Sequence, residues 1–442
     1  MVSTQRRGRP RRDAIGLGLA FINRLAGVGL IDRLGLRKPV ERTVYQAAKT
    51  GFRTLGAATR TFQSTQRQDR PVRPPAAGEA GLFDLTPSED QQLIRETVAE
   101  FAAEQLRPAA AEADTRCAPP DGLLDRAGEL GVTLVGIPEQ LGGVGGERSA
   151  LTNVLVAEAM AHGDMGLAVA CLAPSAVSTA LVLWGDEHQQ ATYLPAFVSE
   201  HVPPAALALQ EPRPLFDPLD PKTRARRVGG GFVLDGVKSF VARAADAELF
   251  VVSANLDGTP ALFLLESDTA GIVIEADPGM GLRAAGMGRL LLDNVSVPAT
   301  ALLGRADELR ECVRLSRLAW CALAVGTGQA VLDYVVPYVN EREAFGEPIS
   351  HRQGVAFRVA DIGIELEGMR LVTYRAASRA EQGLPYAREV ALARKLCVDK
   401  GMAIGSDGVQ LLGGHGFVKE HPVERWYRDL RAIGVAEGVV LV

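Results

Sequence analysis

A single carboxylate, Glu437, stands in the apolar run Ile433-Gly-Val-Ala-Glu-Gly-Val-Val-Leu-Val442. An acid buried without a cation in its own stretch is a candidate general base, since burial and isolation suit a carboxylate to proton transfer. The plainer alternative is a turn residue ahead of Gly438. Upstream, Gln410-Leu-Leu-Gly-Gly-His-Gly-Phe417 ends a helical pattern in paired glycines. Gly413 and Gly414 can close that helix and, lacking Cβ, can also let a ligand approach the backbone. Between these stretches lies Pro422-Val-Glu-Arg-Trp-Tyr-Arg-Asp429, whose Glu424, Arg425, Arg428 and Asp429 are expected to be structural, paired with one another or with the surrounding bundle. Six histidines show no HxxxH spacing, and the cysteines (Cys117, Cys171, Cys312, Cys321, Cys397) form no CxxC pair. No metal centre and no disulfide framework are expected, and reduced thiols fit a cytoplasmic enzyme.

The elements that would position these residues follow from pattern. Thr86-Pro87-Ser88-Glu89 has the form of a capping box with proline in the first helical position. Leu93, Ile94, Val98, Phe101, Ala102 and Leu106 then keep helical spacing. Further helices are expected at 121–131, 148–162, 172–184 and 188–199. After Pro203-Pro204 the segments 230–254, 259–266 and 271–276 are short, β-branched and alternating, with turns at Asp235-Gly236 and Asp257-Gly258. From about 306 long helical patterns return at 306–340, 354–382 and 387–412, with a shorter one near 424–433. The expected domains are a helical one at 83–203, a β domain at 204–304 and a helical bundle at 305–442, an α+β chain.

Residues 1–82 read as an appendage. Residues 1–73 hold 16 Lys/Arg against 4 Asp/Glu, so the rest of this chain of net charge −5 is acidic, which argues against nucleic-acid binding by the main body. Segments 14–36 and 39–62 are basic and partly amphipathic. They suit either peripheral contact of residues 1–62 with an anionic membrane or an arm on a neighbouring subunit. A transit peptide would have a similar composition. The proline-rich stretch at 70–75 is a linker.

Over residues 83–442 the chain resembles the acyl-CoA dehydrogenase family. Glu129-Leu-Gly-Val and Ile137-Pro-Glu-Gln-Leu-Gly-Gly143 resemble its first-domain motif, and Glu341-Arg342-Glu-Ala-Phe345-Gly346-Glu-Pro348 with Gln353 its bundle motif. The resemblance implies an N-terminal helical domain, a middle β domain and a C-terminal four-helix bundle, with FAD as cofactor. It implies that Arg342 reaches the FAD diphosphate of a neighbouring subunit, where a bidentate cation suits a diphosphate. Phe345, Gln353, Gln410, Gly413 and Gly414 would hold the same end of FAD. Glu437 falls where the family's catalytic glutamate falls, before Gly438. Ser316 occupies the place where some relatives put the base, and Arg317 matches an arginine beside the bound thioester.

Several positions depart from the family. Its Thr-Glu-Pro turn is Gln210-Glu211-Pro212 here, and Phe216 replaces a serine near the phosphopantetheine. The flavin-facing Trp-Ile-Thr is Phe240-Val241-Ala242, and Val439 stands for the threonine after Glu437-Gly438. Each lost hydroxyl removes about 0.5–1.5 kcal/mol of net hydrogen bonding. The resemblance therefore implies conversion of a fatty acyl-CoA to a trans-2-enoyl-CoA with Glu437 as base. An electron-transferring flavoprotein would be the acceptor, and the assembly a homodimer or tetramer. A catalytically impaired subunit of a hetero-oligomer, or a flavin oxidase or monooxygenase on the same fold, are the alternatives.

Overall fold

The structure of the chain, a computed structural model, describes residues 85–143, 148–199 and 201–442. The basic segments at 14–36 and 39–62, with the membrane or subunit contact expected of them, lie outside the described residues. Helix α1 (Glu89–Phe101) is capped by Ser88, whose hydroxyl accepts from the Gln91 N–H while the Gln91 side chain accepts from the Ser88 N–H. The expected box at Thr86 and Glu89 is therefore displaced by two residues. Two S/T-x-x-E/Q frames overlap here, and the Ser88 frame leaves Pro87 outside the helix and lets Gln91 reach Thr152 at 3.1 Å.

A π-helical turn (Ala102–Leu106) joins α1 to α2 (Arg107–Arg116), followed by α3 (Leu123–Glu129), α4 (Ala150–Gly163), α5 (Met165–Trp184) and α6 (Glu187–Phe197). Helix α5 starts seven residues before the expected 172, because Asp164 caps it by accepting from the Leu167 N–H at 3.0 Å. It is apolar on every side, as a helix enclosed by other elements must be.

The strands of the middle domain are β1 (Ala205–Ala208), β2 (Arg224–Val228), β3 (Gly231–Val241), β4 (Leu249–Leu256), β5 (Thr259–Glu266), β6 (Ile272–Ala276), β7 (Gly288–Pro298) and β8 (Leu302–Gly304). They form a mixed sheet in the order β6-β7-β3-β2-β4-β5-β8, with β1 beside β4 in parallel. Side chains alternate between two cores. Leu207, Val251 and Leu264 join the helical core, while Ala206, Phe250, Val252 and Phe263 fill the sheet's own core. In the β3–β7 pairing the register shifts between Lys238 and Val241, and Phe240 there takes a left-handed φ of 55°.

The C-terminal bundle holds α7 (Ala306–Glu341), α8 (Gln353–Glu381), α9 (Ala387–Leu411) and the short α10 (Val423–Arg431). The hairpin β9 (Glu343–Ala344) and β10 (Glu347–Pro348) links α7 to α8. Gly326 lets α7 lie against α4, since a Cβ there would stand 2.0 Å from the Glu158 carbonyl oxygen. By length and composition α5 and α7 could each cross a membrane, yet most of both is buried in this core.

Candidate active site

Glu437 follows the 3₁₀ turn Ala432–Gly434 in a tail buried from Ala436 to Val442. Its carboxylate is paired. Arg317 of α7 donates Nη2 to Oε1 at 2.8 Å, and its Nε lies 3.2 Å from Oε1 and 3.1 Å from Oε2. Arg394 of α9 donates Nη2 to Oε1 at 3.0 Å and to the Ala436 carbonyl at 3.2 Å. This corrects the expectation of an acid without a counter-charge. Arg317, expected beside the thioester, is here aimed at the carboxylate. The cations arrive from 120 and 43 residues away, so nothing in the tail's own sequence announces them. Arg394 was not anticipated; its signal is a basic residue bordering the buried face of α9 set by Ala393, Cys397 and Gly401.

Two guanidiniums thus share one carboxylate. Burial lowers Arg394 from the ordinary arginine range, Glu437 opposing that shift and Arg317 adding to it. Arg394 Nη1 is buried with no hydrogen-bond partner.

The main chain of the turn is equally engaged. The Glu437 N–H donates to Gln210 Oε1 at 3.0 Å, and the Gly438 N–H to Ser316 Oγ at 2.8 Å. Gly438 has φ 65°, and a Cβ there would stand 2.4 Å from Leu209 Cδ1, so both backbone angle and space demand glycine. The opposing segment, just past β1, is fixed by its own contacts. The Leu209 carbonyl accepts from Lys238 Nζ at 3.2 Å and Ser253 Oγ at 3.3 Å, and the Gln210 carbonyl from the Ser239 N–H at 2.9 Å. Glu211 accepts from Lys238 Nζ at 2.9 Å and from the N–H groups of Lys222 and Thr223 at 2.8 Å each. Burial works to raise the Glu211 carboxyl, but the Lys238 charge and those hydrogen bonds prevail and hold it at about 2. Burial draws Lys238 down to about 8, with Glu211 opposing.

Of the expected flavin-ring positions, Gln210 alone is hydrogen-bonded to the Glu437 turn. Ala242 and Val439 are buried in the main core. Phe240 is half-buried; its N–H donates to Asp277 at 3.0 Å. Phe216 lies under the Arg213 guanidinium at 5.4 Å.

At the bundle's end, Arg342, Phe345, Gln410, Gly413 and Gly414 line one open cleft of about 920 Å³, with Tyr338, Arg352 and His415. Gln353, the first residue of α8, is exposed and outside that lining. No described side chain partners Arg342 or Gln410, and a Cβ on Gly413 or Gly414 would meet nothing within 4 Å. An unpaired guanidinium beside bare backbone fits the diphosphate and adenosine end of FAD.

Helix α10 clasps the domains together. Arg425 donates to Asp164 at 2.9 Å, and Arg428 grips Asp114 through Nη1 at 2.9 Å and Nη2 at 3.0 Å while pairing with Glu424. Asp429 accepts from the Leu282 N–H of the middle domain at 2.6 Å. These partners, apart from Glu424, lie in the other two domains rather than in the bundle. A charged helix shows its face in sequence but not its partners.

Profiles of the acyl-CoA dehydrogenase N-terminal, middle and C-terminal domains match residues 88–201, 206–295 and 309–440. The chain is 31% identical over 362 residues to the mitochondrial short/branched chain specific acyl-CoA dehydrogenase of Rattus norvegicus, covering 79% of this chain and 83% of that one. It is 31% identical over 367 residues to a probable acyl-CoA dehydrogenase of Bacillus subtilis, covering 80% and 96%. Among solved structures, butyryl-CoA dehydrogenase from Megasphaera elsdenii matches with a TM-score of 0.75 at 27% identity, over 81% of this chain and 96% of that one. With the architecture and all three domains in agreement, the chain belongs to the acyl-CoA dehydrogenase family of FAD-dependent oxidoreductases acting on CH–CH groups.

Proposed function

We propose that the protein oxidises a fatty acyl-CoA to the trans-2-enoyl-CoA, with Glu437 removing the Cα proton. The observation that carries this is a buried carboxylate, held at a glycine turn, in a family whose reaction requires such a base. Oε1 already accepts from both arginines, whereas Oε2 is approached by Arg317 Nε alone. Oε2 therefore keeps the lone pair for the incoming proton. The Glu437 N–H is the chain's own donor for the thioester oxygen, where negative charge develops as the proton leaves. Bound FAD supplies the acceptor for the hydride from Cβ, and the cleft at Arg342, Gln410 and Gly413-Gly414 would hold the diphosphate and adenosine of a neighbouring subunit's FAD.

An electron-transferring flavoprotein is the acceptor the family implies. Phe357, Ile364 and Leu371, exposed seven residues apart on α8, support a homo-oligomer by offering an apolar stripe to a second copy. The test of the chemistry is anaerobic mixing of the FAD-loaded protein with a panel of acyl-CoA esters. Wild type bleaches the flavin and Glu437→Gln does not; equal bleaching rates would dismiss Glu437.

A second reading, an impaired subunit within a hetero-oligomer, draws on the carboxylate tied by two arginines and on Ala242 and Val439, which carry no hydroxyl. Purified protein that is yellow and reduces a dye with acyl-CoA unaided rules it out.

A further inference from the structure

We infer that Gln210 is a specificity-determining residue of this site: its side-chain carbonyl occupies the Glu437 N–H that a thioester oxygen needs, and productive binding requires that amide to rotate away. The inference rests on the acyl-CoA reading above. An amide oxygen and a thioester oxygen are both sp² acceptors, and the amide is the stronger of the two. At 3.0 Å from the Glu437 N–H, Gln210 Oε1 stands as an intramolecular competitor for the substrate carbonyl.

Three observations separate this from a merely structural hydrogen bond. The backbone on either side of Gln210 is held without its side chain, through the Leu209 carbonyl, the Gln210 carbonyl and the Glu211 carboxylate. The side chain itself is half-buried, and its Nε2 donates to no described residue, so one hydrogen bond is all that rotation breaks. The turn has no slack of its own. Gly438 is pressed on Leu209 and its N–H is committed to Ser316, so the carbonyl site is opened by moving Gln210 and not by moving Glu437.

The consequence is a site that gains little from a ligand's carbonyl and discriminates mainly through the rest of the molecule. Calorimetry on the full FAD-loaded chain tests this with two unreactive ligands of equal chain length. One is a trans-2-enoyl-CoA thioester and the other an S-alkyl-CoA thioether that lacks the carbonyl. The change in their affinity ratio between wild type and variant reads the N–H···O=C bond, since the other differences between the two ligands cancel. In Gln210→Ala, and in Gln210→Thr should the alanine variant fold poorly, the thioester-to-thioether preference should rise about 3- to 10-fold. Thioether affinity should stay at its wild-type value. An unchanged ratio, or parallel weakening of both ligands, overturns the inference and leaves the acyl-CoA reading standing. Binding of neither ligand to wild type overturns the acyl-CoA reading and this inference with it.

Discussion

Lys238 carries an ammonium into the sheet with no solvent exposure, and Glu211 is its counter-ion. Removing one partner of such a pair strands the other charge in a dry interior. Lys238→Met should therefore cost about 3–5 kcal/mol in urea unfolding, and adding Glu211→Gln should restore part of that loss. The pH dependence has a definite sign. Glu211 sits at about 2 in the fold against an ordinary 4.5, so its contribution is whole above pH 4.5 and drains away as pH falls toward 2. Stability measured down that acid limb should be flatter in the Lys238→Met variant. Arg394 offers a catalytic counterpart. It positions the Glu437 carboxylate through one charge-assisted hydrogen bond, typically worth about 1.5–3 kcal/mol. Arg394→Met should accordingly lower kcat by about 10- to 100-fold at unchanged flavin content, with Arg394→Lys recovering a fraction.

At the scale of elements, α10 depends on a buried carboxyl. Asp429 is fully buried. Burial and the nearby Asp164 charge raise it to about 8, against the Leu282 N–H and the charges of Arg428 and Arg425. Raised from an ordinary 3.8, it holds a proton in the fold that the unfolded chain has released. Its contribution is complete below pH 3.8 and is lost as pH rises through 8. Asp429→Asn mimics the protonated form and keeps an acceptor for Leu282. Melting curves from pH 5 to 9 should show wild type losing stability toward alkaline pH and the variant losing less. A parallel decline in both would exclude Asp429 as its source. What was legible here follows the range of the interaction. The span of α9 was readable to within a residue because 3.6-residue periodicity is local. The face of α10 was readable, but not its grip on Asp114 and Asp164, which lie more than 250 residues away. The same holds at the site. Glu437 was marked by its own apolar stretch, while Arg394 and the turn of Gln210 toward it exist only once three chain segments have met. Local frames can also compete, as Ser88 does with Thr86, and then packing against α4 decides.

Across the whole molecule the Glu437 turn and the Arg342 cleft are built differently, and that makes them separable by experiment. The Glu437 turn is assembled from the middle domain, α7, α9 and the tail, with the Glu437 carboxylate and the Glu437 and Gly438 N–H groups already hydrogen-bonded inside the chain. The cleft at Arg342 belongs to the bundle alone and offers an exposed, unpaired cation beside bare glycine backbone. FAD affinity should consequently lie mostly in the bundle cleft. Ligand binding stabilises a fold by RT ln(1 + [L]/Kd), about 2.7 kcal/mol at a hundredfold excess over Kd. Titrating FAD into the stripped chain should raise its Tm progressively. Arg342→Gln should reduce that rise at every FAD concentration while leaving the stripped protein's Tm nearly unchanged, because a partnerless exposed side chain contributes within about 0.5 kcal/mol. Glu437→Gln should leave the FAD-dependent rise intact. Were the rise to vanish in Glu437→Gln and persist in Arg342→Gln, the cofactor would be anchored at the turn and the cleft would need another occupant.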